Sequence, residues 1–223
     1  MKKVFVTATA VVLFAFGCFG QNLPDKDWAR FSRYAEANAA VAKAPKAVLM
    51  GDSITDFWYR RDTAFFEAHN FAGRGISGQV TSQMLVRFRR DVIDLHPRYV
   101  VILAGINDIA RNNGYISLEN ILGNLVSMCE LARANKIRPV LCTLVPSDRC
   151  DWIPELTGVA ALVTELNEMI RSYARQNHIP LVDYAKVLSD GNGVILDGVT
   201  KDSVHPVIEG YKLMEEALLK VVK

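Results

Sequence analysis

The sequence predicts an α/β fold in which helices cover both faces of a central parallel sheet of about five strands, a three-layer α/β/α sandwich. Short, continuous apolar runs alternate with longer runs whose apolar residues recur at helical spacing. The short runs lack polar alternation, which is typical of strands that are buried on both faces. No linker, repeat or low-complexity stretch divides residues 25–223, so we predict one domain there.

The individual elements follow from these two patterns and from the residues that end them. In chain order we predict helices over 25–43, 57–69, 81–95, 117–135, 154–177 and 206–222, and strands over 47–50, 71–76, 99–103, 139–144 and 179–182. Pro45 and Pro97 stop the first and third helices, and Ser117 is a suitable N-cap for the fourth. The run from Tyr99 to Leu103 is the strongest strand. The order predicts a flavodoxin-like sheet.

The N-terminal segment has the layout of a secretory signal peptide. A basic head at residues 1–3 precedes an apolar run over 4–16 and a cluster of small residues. Since a membrane-spanning helix needs ~20 apolar residues, a permanent anchor is the second choice. Lipoprotein processing at Cys18 is a third alternative. We assign residues 1–20 to the signal peptide and 21–223 to the mature domain, and expect a secreted or periplasmic protein, anchored to a membrane if Cys18 is lipidated.

The mature chain is balanced in charge and rich in apolar residues. Without Lys2 and Lys3, 24 basic residues face 24 acidic ones, and half of all residues are hydrophobic. This composition argues against disorder and against a nucleic-acid partner, because no basic patch is present. Cys129 lies in an apolar helical pattern. Cys142 and Cys150 are close enough in sequence for a disulfide in an oxidising compartment, although two core thiols are an equal alternative.

Polar clusters follow three predicted strands and precede the last helix. They are Gly51-Asp52-Ser53-Ile54-Thr55, Gly75-Ile76-Ser77-Gly78-Gln79, Gly105-Ile106-Asn107-Asp108 and Asp202-Ser203-Val204-His205-Pro206. The carboxyl ends of parallel strands meet at one edge of a sheet, where ligands bind in such folds. We therefore expect the four clusters to form one site.

These clusters resemble the sequence blocks of the SGNH hydrolases, also called the GDSL-like lipase/acylhydrolase family. The four family letters match Ser53, Gly78, Asn107 and His205, and Asp202 stands three residues before the histidine. One block alone is weak evidence, but four in the right order make a strong joint signal. The resemblance implies the SGNH hydrolase fold and a serine esterase without a cofactor. The Gly-x-Ser-x-Gly motif of α/β-hydrolases is not found around Ser53.

The residue types suit acyl transfer. A serine hydroxyl needs a base to become a nucleophile, and histidine is the natural base near neutral pH, so Ser53 and His205 form the candidate pair. Asp202 is the candidate partner that orients the ring and stabilises its cation. The candidate oxyanion donors are the backbone N–H groups of Ser53 and Gly78 and the side-chain amide of Asn107. We expect His205 at the entrance of the last helix, with Pro206 as its first residue.

Other polar residues have simpler explanations. Asp52, Asp56 and Asp108 have the chemistry of metal ligands, but no histidine partners them at a useful spacing. We predict no metal site and expect Asp52 and Asp108 to brace the loops through hydrogen bonds.

The sequence thus predicts a secreted esterase for small acyl esters, most of all a carbohydrate acetylesterase. Three aromatic residues are candidates for walls of an acyl or sugar pocket, with core packing as the alternative: Trp58, Tyr59 and Trp152. The enzymatic alternatives are a lipase, lysophospholipase or thioesterase, or acyl transfer to another sugar. A non-catalytic carbohydrate-binding protein is the alternative from another class.

Overall fold

The computed structural model describes residues 27–190 and 194–223, so the predicted signal peptide and Cys18 lie outside the described residues. The strands are β1 (Ala47–Gly51), β2 (Phe71–Gly75), β3 (Tyr99–Leu103), β4 (Arg138–Cys142) and β5 (Leu181–Val182). The helices are α1 (Ala35–Ala39), α2 (Ser53–Arg61), α3 (Thr63–Ala68), α4 (Thr81–Asp91), α5 (Ile106–Ile109), α6 (Leu118–Ala134), α7 (Val159–Gln176), α8 (Tyr184–Val187) and α9 (Ile208–Val221). None of the described helices is long and apolar enough to cross a membrane.

The five strands form one parallel sheet in the order β2-β1-β3-β4-β5, which confirms the predicted fold class. At its carboxyl edge Gly51 of β1 is in register with Gly75 of β2 and Leu103 of β3. The three polar clusters that follow these strands consequently start side by side. Strand register therefore accounts for the meeting of segments that are 24 or more residues apart in the chain.

Helices cover both faces of the sheet. Helices α4, α6 and α7 pack side by side on one face, and α2, α3, α8 and α9 lie together on the other. The second layer is joined by aromatic packing, because Trp58 of α2 stacks on Tyr211 of α9 with ring centroids 5.5 Å apart. The Tyr211 hydroxyl also donates to the Ile54 carbonyl at 2.8 Å. These contacts fix α9, which follows the His205 loop, against the helix that begins with Ser53.

Two strand-end glycines let α2 approach the sheet closely. A Cβ at Gly51 would lie 2.2 Å from the Thr55 Oγ1 atom, and one at Gly75 would lie 2.2 Å from the Asp56 backbone nitrogen. Both distances are far inside van der Waals contact, so a larger residue would push α2 away. Glycine at these positions therefore lets the helix that carries Ser53 pack directly on β1 and β2.

Several predicted boundaries were wrong for local reasons. The first helix does not span 25–43: Asp27 caps the Phe31 and Ser32 amides, so a 3-10 turn starts at Phe31 and leads into the short α1. The second helix begins earlier than expected, at Ser53, because Asp52 caps it. It also breaks at Asp62, which caps α3.

The end of α4 and the start of α7 also differ from the prediction. Helix α4 ends at Asp91 and is followed by a separate 3-10 turn. Helix α7 begins at Val159 rather than at 154, since Gly158 has a left-handed backbone with φ of 74°. Helix α6 confirms its predicted N-cap, because the Ser117 side chain accepts from the Asn120 amide.

The three cysteines of the described chain are free thiols, and all are buried. Burial raises the pKa of the Cys150 thiol to about 11 and that of Cys142 still further. The structure thus favours the core alternative over the Cys142–Cys150 disulfide.

Candidate active site

The candidate nucleophile is the first residue of α2. Ser53 follows β1 directly, and the Asp52 carboxylate caps the helix by accepting from the Ile54 amide at 2.9 Å. The Ser53 residue is 7% exposed. Its Oγ atom lies 2.8 Å from His205 Nε2, within hydrogen-bond distance. The geometry is that of a hydroxyl whose proton can pass to an imidazole.

Asp202 holds the other side of the imidazole. Its Oδ2 atom lies 2.8 Å from His205 Nδ1, and its Oδ1 atom accepts from the His205 backbone amide at 2.8 Å. Because a carboxylate accepts, Nδ1 carries the ring proton and Nε2 is left free to accept from Ser53. Burial raises the pKa of Asp202, but the hydrogen bonds from His205 outweigh it and hold the pKa below its ordinary value.

The loop that carries the histidine is a tight bend closed by backbone hydrogen bonds. Lys201 donates its backbone N–H to the His205 carbonyl at 3.0 Å, and Val207 donates to Val199 at 3.0 Å. This pairing keeps Pro206 and Val207 out of the helix, so α9 begins at Ile208 and the prediction of Pro206 as its first residue was wrong. The Arg61 guanidinium donates to the Pro206 carbonyl at 2.6 Å and ties the loop to α2.

The candidate oxyanion donors follow β1, β2 and β3, whose carboxyl ends are in register. Within the described part of the chain the Ser53 and Gly78 amides donate to no other group. Gly78 has φ of +80°, a conformation that favours glycine, and a Cβ there would meet no described atom within 4 Å. Its backbone conformation, rather than protein packing, therefore explains the glycine. Asn107 is 3% exposed and donates one amide N–H to the Gln79 carbonyl at 3.0 Å, which leaves a second N–H.

Two buried carboxyl groups, those of Asp52 and Asp108, are adjacent in sequence to Ser53 and Asn107. Burial raises the pKa of Asp52 to about 7, against the bond from the Ile54 amide, and the nearby Asp108 charge adds to the rise. Burial likewise raises the pKa of Asp108 to about 6, although its hydrogen bonds from Thr81 oppose the shift. Asp108 braces its loop as predicted, by accepting from the Thr81 amide and hydroxyl, whereas Asp52 caps α2 and its Oδ2 atom has no hydrogen-bond partner among the described residues.

Asp56, the third carboxylate considered as a metal ligand, is hydrogen-bonded to other side chains of the protein. Its Oδ2 atom accepts from Arg60 at 2.8 Å and from the Ser77 hydroxyl at 2.6 Å. Among the described residues, no group of three or more histidine, cysteine, aspartate or glutamate side chains is arranged to hold a metal ion.

Two aromatic rings lie next to the imidazole. The Phe57 ring centroid is 5.2 Å from that of His205, and the Trp152 centroid is 6.1 Å away. Trp152 is 42% exposed and remains a candidate wall of the site, whereas Trp58 is 1% exposed and belongs to the core. Tyr59 packs edge-on against Phe66. Sequence reasoning missed Phe57, because the predicted helix began at this residue and did not place it on one helix with Ser53.

A buried arginine also escaped the sequence analysis. Arg87 of α4 has no exposed surface and pairs with Asp91 at 2.8 Å. It donates to the Gly51 and Arg74 carbonyls and, at 2.6 Å, to the Gln79 side chain. Arg87 thus connects the ends of β1 and β2 to the loop that carries Gly78. In the sequence nothing distinguishes Arg87 from the other arginines of this helix, Arg89 and Arg90.

Comparison with known proteins decides the family. Residues 49–213 match the family described as "GDSL-like Lipase/Acylhydrolase family". The chain belongs to this family. As a GDSL-like acylhydrolase it is a carboxylic ester hydrolase, and the predicted resemblance is confirmed.

Solved structures of two Bacteroides proteins are similar to this GDSL-like acylhydrolase over most of its length. An acylhydrolase from Bacteroides fragilis is 42% identical, with 89% of this chain and 98% of that chain covered and a TM-score of 0.85. A GDSL-like lipase from Bacteroides thetaiotaomicron is 41% identical, with 87% and 97% covered and a TM-score of 0.83.

A curated relative from Bacillus subtilis is the lipoprotein YqeF, 28% identical over 136 residues, or 53% of this chain. The chain spans 56% of the length of that relative.

Proposed function

We propose that this acylhydrolase is an exported serine esterase that removes short acyl groups, acetyl above all, from carbohydrate. The observation that carries the proposal is the continuous series of contacts from Ser53 Oγ through His205 to Asp202, with both contacts at 2.8 Å. Serine hydrolases on unrelated folds use this arrangement, and it is recognised by its geometry rather than by sequence position.

The proposed reaction has two steps. Ser53 Oγ attacks the ester carbonyl while His205 Nε2 takes its proton, and the oxyanion that forms accepts from the Ser53 and Gly78 amides and from Asn107. The protonated imidazole is stabilised by Asp202 and gives its proton to the leaving alcohol. A water molecule then attacks the acyl-enzyme with His205 again as base, and the acid leaves as Ser53 recovers its proton.

A carbohydrate leaving group is supported by the surroundings of the imidazole. The leaving oxygen must lie near His205 Nε2 to receive its proton, so the alcohol part of the substrate lies near the rings that flank the imidazole. Trp152 offers an exposed aromatic face at this place. Such faces bind the apolar side of a sugar ring while polar atoms keep their hydrogen bonds.

The longer acyl chains of the lipase alternative would need an apolar channel from Ser53. A cavity of about 600 Å³ lies between α7 and the segments that follow β4 and β5. Its lining in the described chain includes Val163, Arg171 and Lys186 but neither Ser53 nor His205. This cavity therefore does not supply an acyl channel from Ser53.

The proposal is tested with an ester panel. The purified mature chain is assayed with acetyl, butyryl and octanoyl nitrophenyl esters and then with acetylated xylan and other acetylated sugars. We expect the highest kcat/KM for acetyl, release of acetate from at least one acetylated sugar, and no turnover by Ser53→Ala. A preference for octanoyl would refute the acetyl proposal, and equal rates for wild type and Ser53→Ala would refute the serine mechanism.

Export is supported by the basic and apolar layout of residues 1–20 and by the similarity to a lipoprotein. The test is to express the full chain and the Cys18→Ala variant in a bacterial host and to fractionate the cells. An exported soluble enzyme gives a shortened chain outside the cytoplasm in both cases. Membrane retention that Cys18→Ala abolishes would support the lipoprotein alternative, and an unprocessed cytoplasmic chain would refute export.

A further inference from the structure

Asn107 can act as an oxyanion donor only in one of two orientations. Its amide group has an oxygen and a nitrogen of nearly equal size, and a half-turn about the last side-chain bond exchanges them. With the nitrogen forward, the amide donates to the developing oxyanion. With the oxygen forward, it repels that charge. Some neighbour must therefore determine which way the amide faces.

The contacts of Asn112 supply this control. Its Nδ2 atom donates to Asn107 Oδ1 at 2.9 Å and to the Gly78 carbonyl at 3.2 Å. If the Asn107 amide turned round, its nitrogen would face this donor and its oxygen would face the Gln79 carbonyl. Both contacts would then be unfavourable. One side chain of the exposed loop after α5 thus contacts two of the residues that carry candidate oxyanion donors.

Asn112 has the same ambiguity, and Trp152 resolves it. The indole Nε1–H donates to Asn112 Oδ1 at 3.0 Å. Indole nitrogen can donate but never accept, so it binds the oxygen of Asn112 and leaves the nitrogen to face Asn107. The orientation of the two amides is therefore set by three groups that cannot reverse their roles: the Trp152 N–H as donor, and the Gln79 and Gly78 carbonyls as acceptors.

We infer that Asn112 is a positioning residue that holds the Asn107 amide in its donating orientation, with Trp152 holding Asn112 in turn. This inference rests on the proposed hydrolysis and deepens it. It also gives Trp152 a second role beside contact with the sugar, because the ring that flanks His205 is the ring that orients the oxyanion donor.

The test measures kcat and KM for 4-nitrophenyl acetate in the mature protein with Asn112→Asp. The carboxylate is close to the amide in size but has no N–H, so it favours the turned orientation of Asn107. We expect kcat to fall by ~10²-fold, as for the loss of one oxyanion donor. KM should change by less than about threefold, since the change acts in the transition state. The matched control is Asn113→Asp, which puts the same charge on the exposed neighbouring residue and should leave both constants unchanged.

A double-mutant cycle separates this role from a structural one. Once Asn107→Ala has removed the donor, Asn112→Asp should lower kcat no further. Trp152→Phe keeps a ring but loses the N–H, so it should lower kcat by a smaller factor, and should have no effect on kcat in the Asn112→Asp background. Binding of phenylboronic acid, which forms a tetrahedral anion on serine, should weaken in Asn112→Asp in parallel with kcat.

The outcomes distinguish the inference from the function on which it rests. Full additivity of Asn112→Asp and Asn107→Ala, or wild-type kcat in Asn112→Asp while Ser53→Ala is inactive, would overturn the inference and leave the hydrolysis intact. Turnover by Ser53→Ala at the wild-type rate would overturn the hydrolysis itself. If Asn112→Asp does not fold, Trp152→Phe serves as the test instead, and a wild-type kcat in this variant would overturn the inference.

Discussion

Replacement of Asp202 by asparagine tests which nitrogen of the His205 ring carries the proton, on which the proposed triad depends. The asparagine side chain has an N–H group where the aspartate has a second acceptor oxygen. If this N–H donates to His205 Nδ1, the ring proton must lie on Nε2. In that tautomer the ring cannot accept a proton from Ser53. Loss of this partner costs serine hydrolases up to ~10⁴-fold in kcat.

The structure places Asp202→Asn at the lower end of that range. The Asp202 side chain is 31% exposed, so water screens part of its charge and can stabilise some of the imidazolium. We therefore expect kcat for 4-nitrophenyl acetate at pH 8 to fall by ~10³-fold, which corresponds to ~4 kcal/mol in the activation free energy. KM should change little, because the interaction matters mainly in the transition state.

The matched control is Asp197→Asn, which removes an exposed carboxylate from the same loop region. It should leave kcat within about twofold of wild type, as is usual for surface changes away from the site. Circular dichroism melts of both variants check that they are folded. If folded Asp202→Asn kept more than a tenth of the wild-type kcat, the carboxylate would not orient the base and the reasoning would be refuted.

Three further variants test the supports of the site. Arg87→Leu removes the arginine that neutralises buried Asp91 and leaves its carboxylate with the Asn38 amide, so the free energy of unfolding in urea should fall by ~3 kcal/mol. A loss under ~1 kcal/mol would contradict a stabilising role for the buried pair. Asp52 has its pKa raised to about 7 by burial and by Asp108, so the native state binds more protons than the unfolded chain between about pH 4 and 7. Protonated Asp52 therefore makes the melting temperature fall as pH rises through that window. In Asp52→Asn the melting temperature should fall less steeply with pH. A slope equal to that of the wild type would contradict the raised pKa of Asp52. Gly75→Ala puts a Cβ 2.2 Å from the α2 backbone, so stability and kcat should fall together; wild-type values for both would contradict the close packing.

The sequence predicted the fold class and the meeting of the site residues because both follow from simple regularities. Unbroken apolar runs indicate buried parallel strands, and the carboxyl ends of such strands share one edge. Ser53, Gly78 and Asn107 stand within a few residues of three strand ends that prove to be in register. Their proximity therefore needed no knowledge of side-chain packing.

Element boundaries and supporting contacts were harder to predict because they depend on individual side-chain contacts. Asp52 and Asp62 extend or break helices by capping, and aspartate in a helical pattern does not reveal which of these it will do. The role of Arg87 depends on three segments that meet in space. Asn112 and Trp152 are 40 residues apart in sequence, and no periodicity connects them.

The central claim, that Ser53 is the nucleophile and His205 its base, is tested most directly by covalent labelling with diethyl 4-nitrophenyl phosphate. Peptide mass spectrometry of the labelled mature protein should find one diethylphosphoryl group, on Ser53. The His205→Ala variant should be labelled at least ~10³-fold more slowly than the wild type. A label on another residue, or labelling of Ser53→Ala at the wild-type rate, would contradict the account.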